Sequence, residues 1–404
     1  MESLDKKFMY LGSENAPGQE VRRSNDQLIG FIRGEKIIGP PVDFSHGDVD
    51  AFSPTPGARQ SWEHAYEQGG KQAYTEYRGS ALIRDGVAAR LGRFTGVPIA
   101  ADRELIITPG TQGALFLALG SVVEHGTMVA IMEPDYFANR KLVKFFGGEI
   151  VPIPLIYEEN AAEKGPNLQI LEEAIKAGVR VLVFSTPNNP TGLVYSQTAI
   201  ESIALLAASH DVTVIVDQLY SRLLYSGEVY SHLRACKTLP TDLVTIMGPS
   251  KTESLSGFRL GTAFGTPKLI DRMEKLQAIV SLRAAGYNQA ALGTWFREPD
   301  GWMKKRIAEH EVIRDDLLDV LRLVGLQTST PQAGSYLFPK LPKLAVPPDI
   351  FVRLLRHQAG VTVTPGSEFG PHSADSFRLN FSQDHTAAVA AANRIVEMVK
   401  RYRA

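Results

Sequence analysis

From about residue 80 to residue 290 the chain alternates between two hydrophobic rhythms. Short apolar, β-branched runs recur at Leu105–Thr108, Val129–Met132, Val179–Phe184, Val212–Val216, Leu243–Met247 and Leu260–Phe264. Between several of them, apolar positions fall at helical spacing, in Gly113–Val123, Phe137–Phe146, Leu168–Ala177 and Thr198–His210. A short run with almost no polar alternation leaves no face for water, so it reads as a strand covered on both sides. Such strands, separated by amphipathic helices, predict an α/β unit with a largely parallel sheet between two helical layers. Ligands of these sheets bind beyond the carboxyl ends of the strands, which directs attention to the loops after each run.

Near Arg297 the rhythm changes. Trp302–Val324 predicts a long helix, with apolar positions recurring at helical spacing among charges. Short strand patterns follow at Ser335–Phe338, Val361–Val363 and Phe377–Phe381, then a closing helix at Thr386–Arg401. This mixture predicts a smaller α+β lobe. Residues 1–45 are polar and punctuated by Gly and Pro. The expected organisation is therefore an arm and part of the small domain over 1–50, a large domain over 51–295, and a C-terminal small domain over 296–404.

Composition narrows the function classes. The 404 residues are 44% hydrophobic and 22% charged, with a formal net charge of -1, enough to bury a large core. No basic bias points to nucleic acid. No apolar run reaches membrane-spanning length, and the first residues lack the pattern of a signal peptide. Cys236 is the single cysteine, so no intrachain disulfide is possible and a buried, inert thiol is expected. Together these features predict a soluble, cytoplasmic protein.

The loops after the strand patterns carry the candidate chemistry. Ser185-Thr-Pro-Asn-Asn-Pro-Thr-Gly192 reads as a turn by composition, yet it brings the amide of Asn189 to a strand's carboxyl end. Asp217 follows a nearly all-apolar run, with Tyr220 three residues on. It is either a helix cap or a carboxylate that needs a cationic partner, since an unpaired one is costly to bury. Pro249-Ser-Lys-Thr-Glu-Ser-Leu-Ser-Gly-Phe-Arg-Leu-Gly261 supplies Ser250, Lys251 and Arg259. Each of these alone reads as an ordinary surface residue. Gly110, Thr111 and Gln112 open a helix after Leu105–Thr108, where free N–H groups suit a phosphate. Tyr136, in Glu133-Pro-Asp-Tyr136, puts an aromatic ring at the same edge.

One ligand accounts for the whole set: pyridoxal 5′-phosphate. Lys251 is the amine that condenses with its aldehyde. Asp217 holds the ring-nitrogen proton, and Asn189 and Tyr220 bond the ring oxygen. Arg259 and the Gly110–Gln112 helix end take the phosphate, and Tyr136 stacks on the ring. The cofactor brings the carbanion chemistry, and the protein brings binding and orientation.

On Asn189-Pro-Thr-Gly, Asp217-x-x-Tyr220, Ser250-Lys251 with Arg259-Leu-Gly, and Phe377-Arg378-Leu-Asn-Phe, the chain resembles the fold-type I, class I/II aminotransferases. The resemblance runs from about His46 to the C-terminus. It implies a mostly parallel seven-stranded sheet, transfer of an α-amino group from an amino acid to a 2-oxo acid, and ping-pong kinetics. It also implies that Arg378 grips the substrate α-carboxylate with Gly47 beside it, that Pro365–Gly370 is the loop before the arginine strand, and that Tyr74 reaches the phosphate of a neighbouring subunit in a homodimer. Two positions depart from the pattern. Gly248 stands where many relatives have Ser or Thr, and Gln218 where many have Glu.

The motifs leave other outcomes of the same cofactor site open, namely a lyase, a cyclase or an oxidase. A non-catalytic effector-binding module is the reading from a different class. It would carry a helix-turn-helix extension, for which residues 1–45 are too short and too polar. The substrate side chain also stays open. Arg283 is a candidate for an acidic substrate, although a surface arginine is the commoner case. Glu14, Asp48 and Asp50 instead favour a cationic one.

Overall fold

The computed structural model describes residues 2–12, 25–47 and 49–404. Its centre is a sheet of eight strands: β1 (Leu105–Pro109), β2 (Met128–Glu133), β3 (Glu149–Ile156), β4 (Gly165–Pro166), β5 (Val181–Ser185), β6 (Thr213–Asp217), β7 (Leu243–Met247) and β8 (Leu260–Gly265). Their spatial order is β1-β8-β7-β6-β5-β2-β3-β4. Strands β3, β2, β5, β6 and β7 pair in parallel, and β8 runs antiparallel between β7 and β1. The eighth strand is the two-residue β4, antiparallel at the β3 edge; the other seven make the sheet expected from the resemblance.

Helices cover both faces because the central strands are apolar on both. Met132, Leu182, Phe184, Val214 and Val216 pack against α6 (Leu168–Lys176) and α7 (Gln197–Ser209). Ile131, Val183, Ile215, Val244 and Ile246 pack on the other side against α4 (Gly110–Gly120), α5 (Phe137–Phe145) and α8 (Pro267–Val280). Two further helices, α2 (Ala58–Glu67) and α3 (Ala81–Thr95), flank the β1 side, and α1 (Glu2–Leu11) touches α5. Strand β3 escapes the apolar-run pattern because Pro152 and Pro154 interrupt it and every second residue near its end is exposed. Proline is tolerated there because only the short β4 lies beyond.

The second lobe holds α9 (Trp302–Arg322), α10 (Pro348–Ala359) and α11 (His385–Tyr402). They surround a small antiparallel sheet of β9 (Tyr336–Leu337), β10 (Thr364–Pro365) and β11 (Phe377–Asn380), with β11 in the middle. Its core joins Leu317, Leu355, Phe377 and Ile395 to Leu28, Val42, Phe44 and Phe52 from the N-terminal segment. Val42–Asp43 pairs in parallel with Val361–Thr362. The chain thus passes through this lobe, builds the large sheet, and returns. That path puts Ser45–Gly47 beside the arginine strand β11: Asn380 N–H donates to the Phe44 carbonyl.

Candidate active site

The carboxyl ends of β1, β2, β5, β6 and β7 and the start of the antiparallel β8 share one edge of the sheet, as the pairing directions require. A cavity of about 250 Å³ opens there, between the two lobes. Thr111, Gln112, Tyr136, Asn189, Asp217, Tyr220, Ser250, Lys251, Arg259 and Arg378 all line it. They come from six different loops and strands. Gly110 lies behind Arg259: a Cβ at this glycine would come within 2.7 Å of the guanidinium.

The phosphate end is built from α4 and Arg259. Gly110 has φ +76° and opens the helix, so the first turn, whose N–H groups lack helical partners, starts beside the guanidinium. Arg259 itself sits in the left-handed region, at φ 53°, after the turn Ser256–Phe258. A non-glycine residue rarely adopts that conformation, and here it aims the side chain at the helix end. Among the described residues no carboxylate pairs with Arg259; its recorded bond is to the Ser256 carbonyl, at 3.0 Å. Gly248 acquires a physical reason. A Cβ there would stand 2.8 Å from the Thr111 methyl, so the space a serine or threonine would need belongs to Thr111.

The ring end is built from β5, β6 and β11. Asp217 keeps a little surface where it opens onto the cavity, yet protein surrounds it. Burial pushes its carboxyl up to about 6, against one bond from the Leu219 N–H at 3.0 Å. No cation of the described chain pairs with it. Arg378 is 3% exposed. It donates to Asn189 Oδ1 at 2.9 Å and to the Ser45 carbonyl at 3.0 Å, while its Nε has no partner. A guanidinium has no acceptor, so the Asn189 atom facing it must be the oxygen, and the amide NH₂ is left to donate elsewhere. Asn189 is also fixed by its own N–H on Ser185 Oγ, and Ser185 in turn is held by Asp135. Tyr136 donates to Gln112 Oε1 at 2.8 Å, which pins its ring over the helix start.

Several cavity residues carry no sequence signal of their own. Ser45 and His46 sit in a loop, and Tyr336 sits in a strand whose aromatic reads as core. Gly47 does not line this cavity. It lines an adjoining one of about 570 Å³ that shares His46, Ser250, Lys251 and Ser256. Asp50 lines that second cavity too, whereas Glu14 and Asp48 lie outside the described residues. Tyr74 is 83% exposed and outside its own chain's cavity. Arg283 packs its guanidinium over the rings of Tyr74 and Tyr77, 5.4 Å from each centroid. Gln218 points away from the cavity, accepting from the Tyr230 hydroxyl at 3.1 Å. Cys236 is half-buried, and burial pushes its thiol up. Lys251 lines both cavities.

Among the described residues, a guanidinium at a helix start and a buried one have no carboxylate partner, and a carboxylate has no cation; beside a lysine, they suit a ligand that carries anionic groups and a cationic one. Comparison with known proteins agrees. The family model described as "Aminotransferase class I and II" matches residues 40–395. A crystal structure of an aspartate aminotransferase from Rhodobacter sphaeroides 2.4.1 is 61% identical, with a TM-score of 0.95, covering 99% of this chain and 100% of that one. The aspartate/prephenate aminotransferase of Thermus thermophilus is 26% identical over 397 residues, 96% of this chain and 95% of that protein. The aspartate aminotransferase of Sulfolobus acidocaldarius is 29% identical over 390 residues, 95% and 94% of the two chains. The chain belongs to the class I and II aminotransferases: it is an enzyme that transfers amino groups, in a family that uses pyridoxal phosphate.

Proposed function

We propose that this enzyme binds pyridoxal 5′-phosphate in the cavity around Lys251 and moves an α-amino group from an amino acid to a 2-oxo acid. The observation that carries the reading is the complementarity of charge. Among the described residues Arg259 and Arg378 lack carboxylate partners and Asp217 lacks a cation, and all three face one cavity beside a lysine. Arg378 is buried and Asp217 nearly so, and such charges are costly unless a ligand pairs them; Arg259 lines the same cavity from an exposed position. The Gly110 cradle, which a Cβ would fill, fits a phosphate.

In this reading Arg259 and the N–H groups of α4 hold the phosphate, and Tyr136 lies against the ring. Asp217 holds a proton at the ring nitrogen. The Asn189 amide and the Tyr220 hydroxyl donate to the ring oxygen. Arg378 clamps the substrate α-carboxylate, an arrangement its planar fork suits. Lys251 would hold the aldehyde end of the cofactor, and its amine, once free, would carry the proton between the substrate α-carbon and the cofactor. Pyridoxal phosphate, when bound, supplies the electron sink for the pair left behind.

An assembly completes the reading. Tyr74, Leu82, Ile279 and Leu282 are exposed, and such an apolar surface fits a homodimer in which Tyr74 of each chain reaches the phosphate site of the other. The division of the chain near residues 50 and 295 lets the small lobe carry Arg378 against the Lys251 side. Among the described residues no helix is long and apolar enough to cross a membrane, which accords with a cytoplasmic enzyme. Aspartate is the first donor to try, given the Rhodobacter sphaeroides relative. Mixing the loaded enzyme with amino acid alone is to give one equivalent of oxo acid and then stop. Addition of a second 2-oxo acid is to restore the starting spectrum. Many turnovers without an acceptor would instead mark a lyase or an oxidase.

A further inference from the structure

We propose that Tyr336 is a positioning residue for the cofactor's ring oxygen, acting through Tyr220 as the second hydroxyl of a two-hydroxyl relay. The inference rests on the pyridoxal phosphate reading above. Tyr336 comes from β9 in the small lobe, and Tyr220 from the loop after β6 in the large one. Both line the 250 Å³ cavity, and their hydroxyl oxygens are 2.6 Å apart. They are 3% and 4% exposed, with ring planes at 74°. Neither ring is free to turn away. Gly334 packs under Tyr220, where a Cβ would stand 3.3 Å from the ring. The Arg378 guanidinium lies 4.3 Å from the centroid of Tyr336.

A phenol has one proton to give. Tyr220 donates it to Tyr336. When Tyr220 must instead donate to the ring oxygen, the Tyr336 oxygen loses its donor, and the two hydroxyls stay bonded only if Tyr336 turns and donates back. A buried oxygen without a donor is the costly alternative. The acidities run in the direction such a relay needs. Burial, followed by the neighbouring Tyr336, pushes the Tyr220 phenol well above its ordinary value, so it stays protonated. Burial also acts upward on Tyr336. The Arg378 and Lys251 charges, followed by the bond from Tyr220, outweigh it and leave that phenol below its ordinary value. Without the cofactor the poorer acid, Tyr220, is the donor; the relay has Tyr336, the better acid, donate once Tyr220 turns to the ring oxygen. A polarised Tyr220 is a stronger donor to the ring oxygen, which steadies negative charge there and lowers the pKa of the Lys251–cofactor linkage. A plain aromatic wall would pack equally well but would leave that pKa alone.

The test is a pH titration of the visible band of four loaded enzymes: wild type, Tyr336→Phe, Tyr220→Phe and the double variant. The charged or titratable groups around the pair, His46, Tyr136, Asp217, Lys251, Arg259 and Arg378, are common to all four. Tyr336→Phe is expected to raise the linkage pKa by about half a unit. Tyr220→Phe is expected to raise it further, with the double variant equal to Tyr220→Phe alone. An unmoved or lowered pKa in Tyr336→Phe overturns the relay. So do additive shifts, or a Tyr336→Phe protein with the wild-type unfolding midpoint that takes up no cofactor. A wild type that never shows a visible band defeats the cofactor reading itself, a separate result from a wild-type band with an unmoved variant.

Discussion

Replacing Asp217 by Asn separates what this carboxylate does for function from what it does for stability. Without the cofactor, burial lifts its pKa from 3.8 to about 6. A rise of about two units corresponds to roughly 3 kcal/mol of preference for the protonated form. The carboxyl opens onto a hydrated cavity, so about 2 kcal/mol is the working figure. The folded state binds more protons than the unfolded chain between about pH 4 and pH 6, so stability falls as pH rises through that window and is level above it. Asparagine keeps the shape and the oxygen that accepts from Leu219, and it never ionises. Cofactor-free Asp217→Asn is therefore expected to be more stable than wild type by about 2 kcal/mol at pH 8, with the gap closing near pH 4. Urea midpoints measured from pH 4 to 8.5 read this directly. With saturating pyridoxal phosphate the order reverses, because wild type gains the linkage energy of a ligand that the variant holds poorly. A cofactor-free variant as stable as wild type or less so at pH 8 would refute the claim that Asp217 is an unpaired buried charge.

Three other changes have defined outcomes. Arg378→Lys loses the fork that holds both Asn189 and Ser45, and steady-state kinetics are to show kcat/KM for the amino acid lowered about 100-fold. Gly248→Ser drives a Cβ to 2.8 Å from the Thr111 methyl. Equilibrium dialysis is to show weaker pyridoxal phosphate binding that Thr111→Ser, which deletes the methyl, restores in part, because Gly261 Cα and the Leu260 carbonyl stay 3.2 Å from the new Cβ. Arg222→Met leaves the buried Glu253, already lifted to about 7 by burial, and Glu298 without their shared cation. Urea unfolding at pH 8 is to show a loss of about 3 kcal/mol that shrinks toward pH 5 as the carboxyls protonate.

The central sheet was legible because its strands are buried on both faces, so apolar runs mark them without alternation. β3 was not, since Pro152 and Pro154 break the run at a strand that needs only one well-formed neighbour. Asp217 could be read because a carboxylate after an apolar run asks for a partner, and Lys251 and Arg259 only through their order with Asn189 and Asp217 along the chain. The structure brings them, with Asn189, Tyr220 and Arg378, into one cavity. Tyr336 could not be read, since an aromatic in a core strand looks like packing until its hydroxyl is placed beside that of Tyr220. Gly248 departs from the family pattern, and the atoms a Cβ would meet, the Thr111 methyl at 2.8 Å and Gly261 Cα and the Leu260 carbonyl at 3.2 Å, account for it. The surface around Tyr74 and Arg283 is set by a second chain in the proposed dimer, and one chain's pattern carries no record of that partner.

Borohydride reduction of the protein after incubation with pyridoxal phosphate, followed by peptide mapping, tests the account at its centre. The reading predicts one pyridoxyl group per chain, on Lys251, and none in Lys251→Ala. A label spread over surface lysines, or none at position 251, would contradict it.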